Sequence, residues 1–468
     1  MDDQQAAFVE TFRQFLDELI LTPRPPVDTR TPLGDLVQDF LEADVTSLPM
    51  VTEDLPEHRL VDADIALDEL AAAPASPVLG VTGGQQREHS SFQELISSPF
   101  VRFAPGPVDY VSAATGPDTE RRVVSFGVRL LTVDGHRVAV LQRGARPEFG
   151  RGSARLEILA ADGAGSAALL SALRRLMLER SVLRGQVLSF SGNEYGPSAA
   201  GVDFLPRPRV PSHEVILPPG VLGTLARHVV GIGTHRDVLR AAGRHLKRGV
   251  LLYGPPGSGK TLTVRHLLSE TPGITAVVLA GDSIRFVTQA AELARAMQPA
   301  IVVLEDVDLI AVDRSLSVGP QPLLFAMLDA LDGLDGDADV AFVLTTNRVD
   351  VLEHALADRP GRIDLAVEIP LPDAEARQRL FTLYADGMPL SPRTIRDAAA
   401  RADGATGAFA KELMRRTVLL AAEQGRPPTD DDLAGALDAL LSGRDELTRR
   451  LLGAEDPTQG AEEPVQGR

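Results

Sequence analysis

Gly254, Gly259, Lys260 and Thr261 are the residues whose types and spacing point most directly to chemistry. They form the pattern Gly-x-x-x-x-Gly-Lys-Thr, between an apolar run and a helical pattern. Backbone N–H groups of such a loop, with the positive end of the following helix, hold phosphate oxygens. The lysine reaches the β- and γ-phosphates, and the threonine hydroxyl binds Mg²⁺. We therefore predict a nucleoside triphosphate site formed by Gly254, Pro255, Pro256, Gly257, Ser258, Gly259, Lys260 and Thr261.

Two carboxylates follow a second apolar run. Residues 301–304 indicate a buried strand, and Glu305 and Asp306 come directly after it. Sites in open parallel sheets form at the carboxyl ends of strands. There, one acid orders Mg²⁺ and the next polarises the attacking water. We predict that Thr261 and Glu305 hold the metal ion and that Asp306 activates water. The alternative is a strand that ends in solvated acids, and the upstream loop favours the catalytic interpretation.

Polar residues after the next strand extend this site. Asn347 follows the run 340–346 and can hydrogen-bond both the γ-phosphate and the attacking water, or only cap a turn. Arg359 and Arg362 flank a Pro-Gly turn. Their planar guanidinium groups suit the charge on a transferring phosphoryl group, although arginines on a turn are often only solvated. The predicted catalytic residues are Glu305, Asp306, Asn347, Arg359 and Arg362.

The elements that position these residues alternate between strand and helix. Apolar strands are predicted at 249–253, 276–280, 300–304, 340–345 and 365–369. Helices are predicted near 223–229, 235–245, 260–268, 288–297, 321–333 and 351–357. This alternation indicates an α/β fold, in which a parallel sheet carries helices on both faces. Asp373 then begins an all-helical region.

The N-terminal part differs in composition. Residues 1–80 contain 17 acidic residues and four arginines, so they carry most of the net charge of −18. Apolar residues recur at helical spacing within 8–19 and within 33–40, which predicts two amphipathic helices. We favour helices that pack on the body with a solvated acidic face over a docking segment for a basic partner.

A small α+β domain is predicted at 93–205, after a linker at 81–92. Apolar residues alternate at 124–130 and 138–140 around Asp134-Gly135, which strongly indicates a hairpin. Further strands are predicted at 156–159 and 187–190, and a helix is predicted at 169–182. A loop in this domain is rich in arginine, and we favour a solvated loop over an anion site for Arg143, Arg146, Arg151 and Arg155.

Five elements, in order and at suitable distances, resemble the AAA ATPase family in its proteasomal-ATPase and valosin-containing-protein branch. They are the loop 254–261, the acid pair 305–306, Asn347 as the first sensor, the segment 355–364 and Gly407-Ala408. The segment is similar to the second region of homology, and the Gly-Ala pair to the second sensor. The resemblance covers roughly residues 216–440.

This resemblance implies ATP and Mg²⁺ as cofactors. It implies an αβα P-loop domain at 216–372, a helical lid at 373–450 and assembly into a ring, usually a hexamer. It also implies that Arg359 and Arg362 act on the ATP of the neighbouring subunit. Val230-Gly231-Ile232 falls where the family packs the adenine.

Two departures from the family pattern bear on mechanism. The usual acid order is Asp-Glu, whereas this chain has Glu305-Asp306, so the shorter Asp306 predicts a shifted water or slower hydrolysis. Family members that thread polypeptide carry an aromatic-hydrophobic-Gly triplet before the third strand. Phe286 is the corresponding candidate here, but no glycine follows Phe286-Val287, and packing in the core is an equal alternative.

Composition restricts the remaining functions. The chain has no cysteine, which excludes disulfides and zinc–cysteine sites, and its charge of −18 disfavours nucleic acid as a partner. No signal segment or membrane span is visible, so a cytoplasmic location and a disordered tail at 451–468 are predicted. We predict an ATPase that remodels a protein substrate as a ring. The alternatives are a nucleotide-gated scaffold with little turnover and, less favoured, a DNA-dependent motor.

Overall fold

A computed structural model of the chain describes residues 8, 10–15, 29–71, 78–84, 87–147, 150–192, 200–308, 337–350 and 362–442. The chain divides into two compact units, one of residues 1–113 and 121–179 and the other of residues 114–120 and 180–468. Several predictions lie outside the described residues, namely the helices 321–333 and 351–357, Arg359, and the tail 451–468.

The first unit contains an antiparallel sheet with helices. Its strands are β1 (Met50–Leu55), β2 (Gly80–Thr82), β3 (Ala104–Gly106), β4 (Asp109–Gly116), β5 (Thr119–Val133), β6 (His136–Arg143) and β7 (Ala154–Ala160). Its helices are α1 (Pro32–Leu41), α2 (Leu60–Leu70), α3 (Phe92–Ile96) and α4 (Gly163–Glu179). The main sheet has the order β1-β7-β6-β5-β4, and β2 pairs with β3.

The predicted hairpin is confirmed as β5 and β6. Asp134 and Gly135 both have positive φ, 51° and 85°, as a two-residue turn between twisted strands requires. α1 packs against Ala139 and Leu141, and α4 contacts β6 and β7. Successive strand residues point to opposite faces, so coverage on both faces explains why nearly all of β6 is buried.

Ion pairs made by a buried arginine join α2 to this sheet. Arg129 on β5 is 3% exposed and donates to Asp64 at 2.6 Å and to Asp68 at 2.5 Å. Gln142 also donates to Asp64, at 3.1 Å. Some acids of the N-terminal part are therefore neutralised inside the fold, where the sequence predicted a solvated face.

The second unit is built on a seven-stranded sheet. Its strands are β8 (Val187–Gly192), β9 (Ala200–Leu205), β10 (Arg248–Tyr253), β11 (Thr275–Ala280), β12 (Ala300–Glu305), β13 (Val340–Thr346) and β14 (Leu365–Glu368). The accompanying helices are α5 (Val221–Ala226), α6 (Arg236–Ala241), α7 (Lys260–Ser269) and α8 (Val287–Ala296). The strand order is β14-β10-β13-β12-β11-β8-β9, parallel from β14 to β8.

Both faces of this sheet are covered by helices. Val302 and Phe342 pack with α8 on one face, whereas Val303 and Val343 pack with α7 on the other. Burial on both faces requires strands that are apolar at every position, which is why these strands appeared as continuous apolar runs. The predicted αβα fold is confirmed.

Four helices follow the sheet and form the predicted lid: α9 (Ala374–Tyr384), α10 (Pro392–Arg401), α11 (Gly407–Ala422) and α12 (Asp430–Leu441). Asp373 caps α9 by accepting from the Ala376 N–H at 2.8 Å. Thr429 and Asp432 form a capping box at the start of α12. Phe381, Phe409 and other apolar residues form the lid's own core.

Two predicted boundaries differ from the structure. β1 pairs antiparallel with β7, so residues 50–55 belong to the sheet of the first unit and not to a separate acidic segment. β8 and β9 were expected in the α+β domain, but β8 pairs with β11. Strand pairing joins residues far apart in the chain, so changes in local composition do not locate it.

The strand β8 also decides between the two interpretations of Phe286. Phe286 is 2% exposed, and its ring stacks on Phe190 of β8 with 5.8 Å between centroids. Ile284 in the same short helical segment is fully buried. In this structure Phe286 packs in the core, because the β8–β9 hairpin covers the edge of the sheet beside it.

We expect the replacement Arg129→Ala to destabilise the first unit by about 3–5 kcal/mol, because it leaves the buried carboxylate of Asp64 without its closest counter-charge. The control is Arg175→Ala, which removes an exposed pair with Glu179 and should cost about 0.5 kcal/mol or less. Hydrogen–deuterium exchange of β5 and β6 in the full chain measures both. Equal protection in the two variants would contradict a stabilising role for the buried network.

Candidate functional site

The glycine-rich loop lies between β10 and α7, as predicted. Gly254, Gly257 and Gly259 have φ values of 146°, 75° and 109°, in a region that favours glycine. A side chain on Gly254 would also place its Cβ 2.1 Å from the Ile369 carbonyl oxygen. The loop conformation therefore depends on glycine at these positions, and Lys260 begins α7 directly after it.

Lys260 is held against the loop that it follows. Its side chain is 6% exposed, and Nζ donates to the carbonyl oxygens of Gly254 and Pro255, both at 2.8 Å. Burial lowers the pKa of Lys260, while the charges of Asp306 and Asp308 raise it. The ammonium group therefore lies where the loop and the carboxylates beyond β12 come together.

Thr261 and Glu305, the predicted metal ligands, contact each other. The Thr261 side chain is close enough to lower the pKa of Glu305, although the two residues belong to α7 and β12. Burial and then the neighbouring Asp306 raise the pKa of Glu305, and Arg265 opposes this shift. A hydroxyl and a carboxylate are hard oxygen ligands that suit Mg²⁺, so this pair fits the predicted metal.

Asp306 and Asn347 also meet. The Asn347 amide donates from Nδ2 to Oδ1 of Asp306 at 3.3 Å, and the Asp306 N–H donates to Oγ1 of Thr345 at 2.9 Å. Asp306 has φ 51°, which is uncommon for a residue with a side chain and frequent at functional sites. The ends of β12 and β13 thus hold the predicted water activator beside the predicted sensor.

Asp308 is a residue of this site to which the sequence analysis assigned no role. It is 6% exposed, and its Oδ1 accepts from the Thr346 hydroxyl and from the Asn347 N–H, both at 3.0 Å. The only sequence signal was a third acid two residues beyond Asp306. Its position shows that the turn after β12 and the end of β13 are connected through both Asp306 and Asp308.

Arg362 lies away from this loop. It is 7% exposed, and it adjoins Gly249 at the start of β10, where Asp364 and Gly249 exchange hydrogen bonds of 2.9 Å. Five strand residues separate Gly249 from Gly254, which is about 16 Å. The structure therefore does not bring Arg362 to the loop of its own chain.

A cavity of about 600 Å³ opens at the carboxyl edge of the sheet. Its walls are the loop, Asp306, Asn347, one face of α9 and the start of α11. Residues 214–219 form another wall, in place of the Val230–Ile232 segment that the resemblance placed beside the adenine. Burial raises the pKa of Tyr384 in this wall, as does the charge of Glu214.

The arginine-rich loop of the first unit shows no comparable arrangement. Arg143 pairs with Glu157 at 2.9 Å, Arg155 with Asp54 at 2.7 Å. Arg151 donates to the carbonyl oxygens of Gly144 and Glu88, both at 3.1 Å, and Arg146 pairs with Glu88 at 3.5 Å. These guanidinium groups already bind carboxylates and carbonyl oxygens of the same unit, so the structure gives no support to an anion site there.

A phosphate-binding loop between a central parallel strand and a helix, with a hydroxyl–carboxylate pair beside it, defines a P-loop nucleoside triphosphatase. Residues 250–371 match the model of the family described as ATPase family associated with various cellular activities (AAA). The chain therefore contains an AAA ATPase domain, as the resemblance implied. It is an ATPase that binds ATP with Mg²⁺.

Named relatives support this assignment. The proteasome-activating nucleotidase of Thermococcus onnurineus is 29% identical over 273 residues, 55% of this chain and 68% of that protein. The ATP-dependent zinc metalloprotease FtsH 2 of Sphaerobacter thermophilus is 34% identical over 314 residues, 62% of this chain and 48% of that protein. The chain thus spans about half the length of the second relative. Among the described residues, no helix is long and apolar enough to cross a membrane.

We expect Asp308→Ala to lower kcat about 10- to 100-fold, because displacement of a catalytic group has effects of this size. ATP affinity should stay near the wild-type value, since Asp308 is not part of the phosphate loop. Asp308→Asn, which keeps an oxygen acceptor, should lose less activity.

The double variant Asp308→Ala/Asn347→Ala provides the control for this prediction. If Asp308 acts by positioning Asn347, adding Asp308→Ala to Asn347→Ala should cost little further activity. Fully additive losses, or a loss of ATP binding equal to the loss of kcat, would show that Asp308 acts in another way.

Proposed function

We propose that this chain uses ATP hydrolysis to remodel a protein substrate or complex, and that it does so as a ring of identical subunits, six in number. The observation that carries the proposal is the division of the site. Lys260, Thr261, Asp306 and Asn347 line one cavity and Glu305 lies beside Thr261, whereas Arg362 lies at the opposite end of β10. A neighbouring subunit can supply the missing positive charge in a ring.

The proposed roles follow from the chemistry of each group. The loop amides and Lys260 bind the β- and γ-phosphates. Bound Mg²⁺, held by Thr261 and Glu305, supplies charge neutralisation on the phosphate oxygens. Asp306 accepts a proton from the attacking water, and Asn347 orients it. We propose that Arg359 and Arg362 of the adjacent subunit stabilise the negative charge that develops in the transition state.

A protein substrate is proposed because of the relatives. Their names refer to a proteasome and to a metalloprotease, and proteins are the substrates of both. The substrate or adaptor itself, the number of subunits and the cytoplasmic location all stay predictions. That nucleic acid is a disfavoured partner is also still a prediction, and it depends on the net charge of −18.

The second candidate is a nucleotide-gated scaffold with little turnover. It is favoured by Asp306, which is one methylene shorter than glutamate and adopts φ 51°, so its carboxylate reaches less far towards a water. An Asp306→Glu variant that hydrolyses ATP much faster than the wild type would favour this candidate.

We expect Asp306→Asn to lower kcat about 10²- to 10⁴-fold, because an amide cannot accept the proton that a general base removes. ATP affinity should change little, since Lys260 and the loop remain. The control is Asp282→Asn, an exposed acid of the same domain, which should be neutral. Wild-type turnover in Asp306→Asn would remove Asp306 from the mechanism.

The same Asp306→Asn variant tests the remodelling step. In the presence of ATP, this variant should stay bound to a substrate protein that the wild type releases during hydrolysis. Adding the same substrate protein to the wild type should raise its ATPase turnover. If the retained protein leaves wild-type turnover unchanged, hydrolysis is not coupled to it.

Mixing two inactive variants tests the shared site. Lys260→Ala lacks a functional loop, and Arg362→Ala lacks the proposed charge for its neighbour. In a ring formed from equal amounts, about a quarter of the sites combine an intact loop with an intact arginine, so ATPase activity should reappear. A mixture as inactive as its components would contradict action across the interface.

A further inference from the structure

A short segment before β14 is tied to the start of β10 through Asp364. The Asp364 N–H donates to the carbonyl oxygen of Gly249, and the Gly249 N–H donates to Oδ2 of Asp364, both at 2.9 Å. The pairing of β10 with β14 itself begins one residue later, at Val250 and Leu365. The Asp364 carboxylate therefore extends this pairing to Gly249, with a charge-assisted hydrogen bond of the stronger kind.

The backbone of Arg362 lies against the same point. A Cβ on Gly249 would be 2.1 Å from the Arg362 carbonyl oxygen and 3.2 Å from the Cα of Ile363, so only glycine allows this approach. The Ile363 side chain packs against the core of the sheet. The chain from Arg362 to Asp364 is therefore fixed on Gly249, and Asp364 is two residues from the arginine.

The start of β10 is a firm anchor for this segment. Arg248 is 3% exposed, and its guanidinium group donates to Oδ1 of Asp339, just before β13, at 2.8 Å. The same group donates to two main-chain carbonyl oxygens at 2.8–3.0 Å. Gly249 then pairs with Phe342 inside the sheet. The position of residues 362–364 thus follows from that of β10.

We infer that Asp364 is a positioning residue that holds Arg362 in the place from which it serves the ATP site of the neighbouring subunit. This inference rests on the proposed function and adds a residue that acts through Arg362 without touching the nucleotide. Asp364 lies at the amino end of β10, about 16 Å from the phosphate loop of its own chain. Its loss should therefore damage the neighbour's site and spare its own.

The first test is steady-state ATPase activity and ATP affinity of the full chain. Asp364→Ala should lower kcat about 10- to 100-fold, the effect of displacing a catalytic group, with ATP affinity near the wild-type value. Asp364→Asn keeps an oxygen acceptor for the Gly249 N–H and should retain most of the activity. The matched control is Glu368→Ala, which removes an exposed acid at the other end of β14 and should leave kcat unchanged.

Mixed rings distinguish positioning of Arg362 from damage to the variant's own loop. Asp364→Ala mixed with Lys260→Ala should regain ATPase activity, because about a quarter of the sites combine an intact loop with a correctly placed arginine. Asp364→Ala mixed with Arg362→Ala should stay inactive, since neither variant supplies the charge for its neighbour. The reverse pattern would show that Asp364→Ala damages its own loop, and it would overturn the inference.

Gly249→Ala is a second variant for the same test, and it replaces Asp364→Ala if that chain does not fold. Its added Cβ has no room beside the Arg362 carbonyl group, so it should give the same pattern in both mixtures. Wild-type kcat in Asp364→Ala would also overturn the inference. If Lys260→Ala and Arg362→Ala do not restore activity to each other, the shared site of the proposed function fails, and this result is obtained without any Asp364 variant.

Discussion

The parallel pairing of β12 with β13 is the constraint on which the site depends. In this register Leu304 lies opposite Leu344, so the chain leaves both strands at the same edge of the sheet. The turn that carries Asp306 and Asp308 then reaches the end of β13 through side-chain and backbone hydrogen bonds. Apolar packing on both faces holds the two strands, and the polar contacts are confined to their ends, where water and nucleotide have access.

Charge is used in two distinct ways in the two units. In the first unit, Arg129 and the acids of α2 neutralise each other inside the fold. In the second unit, Glu305, Asp306 and Asp308 are gathered near one buried lysine, Lys260. Burial, and then the charge of Asp306, raise the pKa of Glu305, and a divalent cation would stabilise the ionised form of this carboxylate.

Much of the second unit was predictable because its signals are local. A strand buried on both faces is a continuous apolar run, and the phosphate loop has a fixed spacing of glycine, lysine and threonine. The seven-stranded sheet was not predictable, because β8 and β9 lie before a proline-rich boundary and join β11 only through non-local pairing. The same reason applies to β1, whose partner β7 is about 100 residues away.

The sequence by itself determined which chemistry this protein can perform. Each catalytic element follows a strand that its apolar residues identify, namely the loop 254–261, the pair Glu305-Asp306 and Asn347. Only the tertiary structure decided which residues meet. It placed Asp308 on Asn347, buried Phe286 against Phe190, and separated Arg362 from the loop of its own chain. The physical reason is that residue type and spacing specify local conformation, whereas distance between remote residues depends on how strands pair and helices pack.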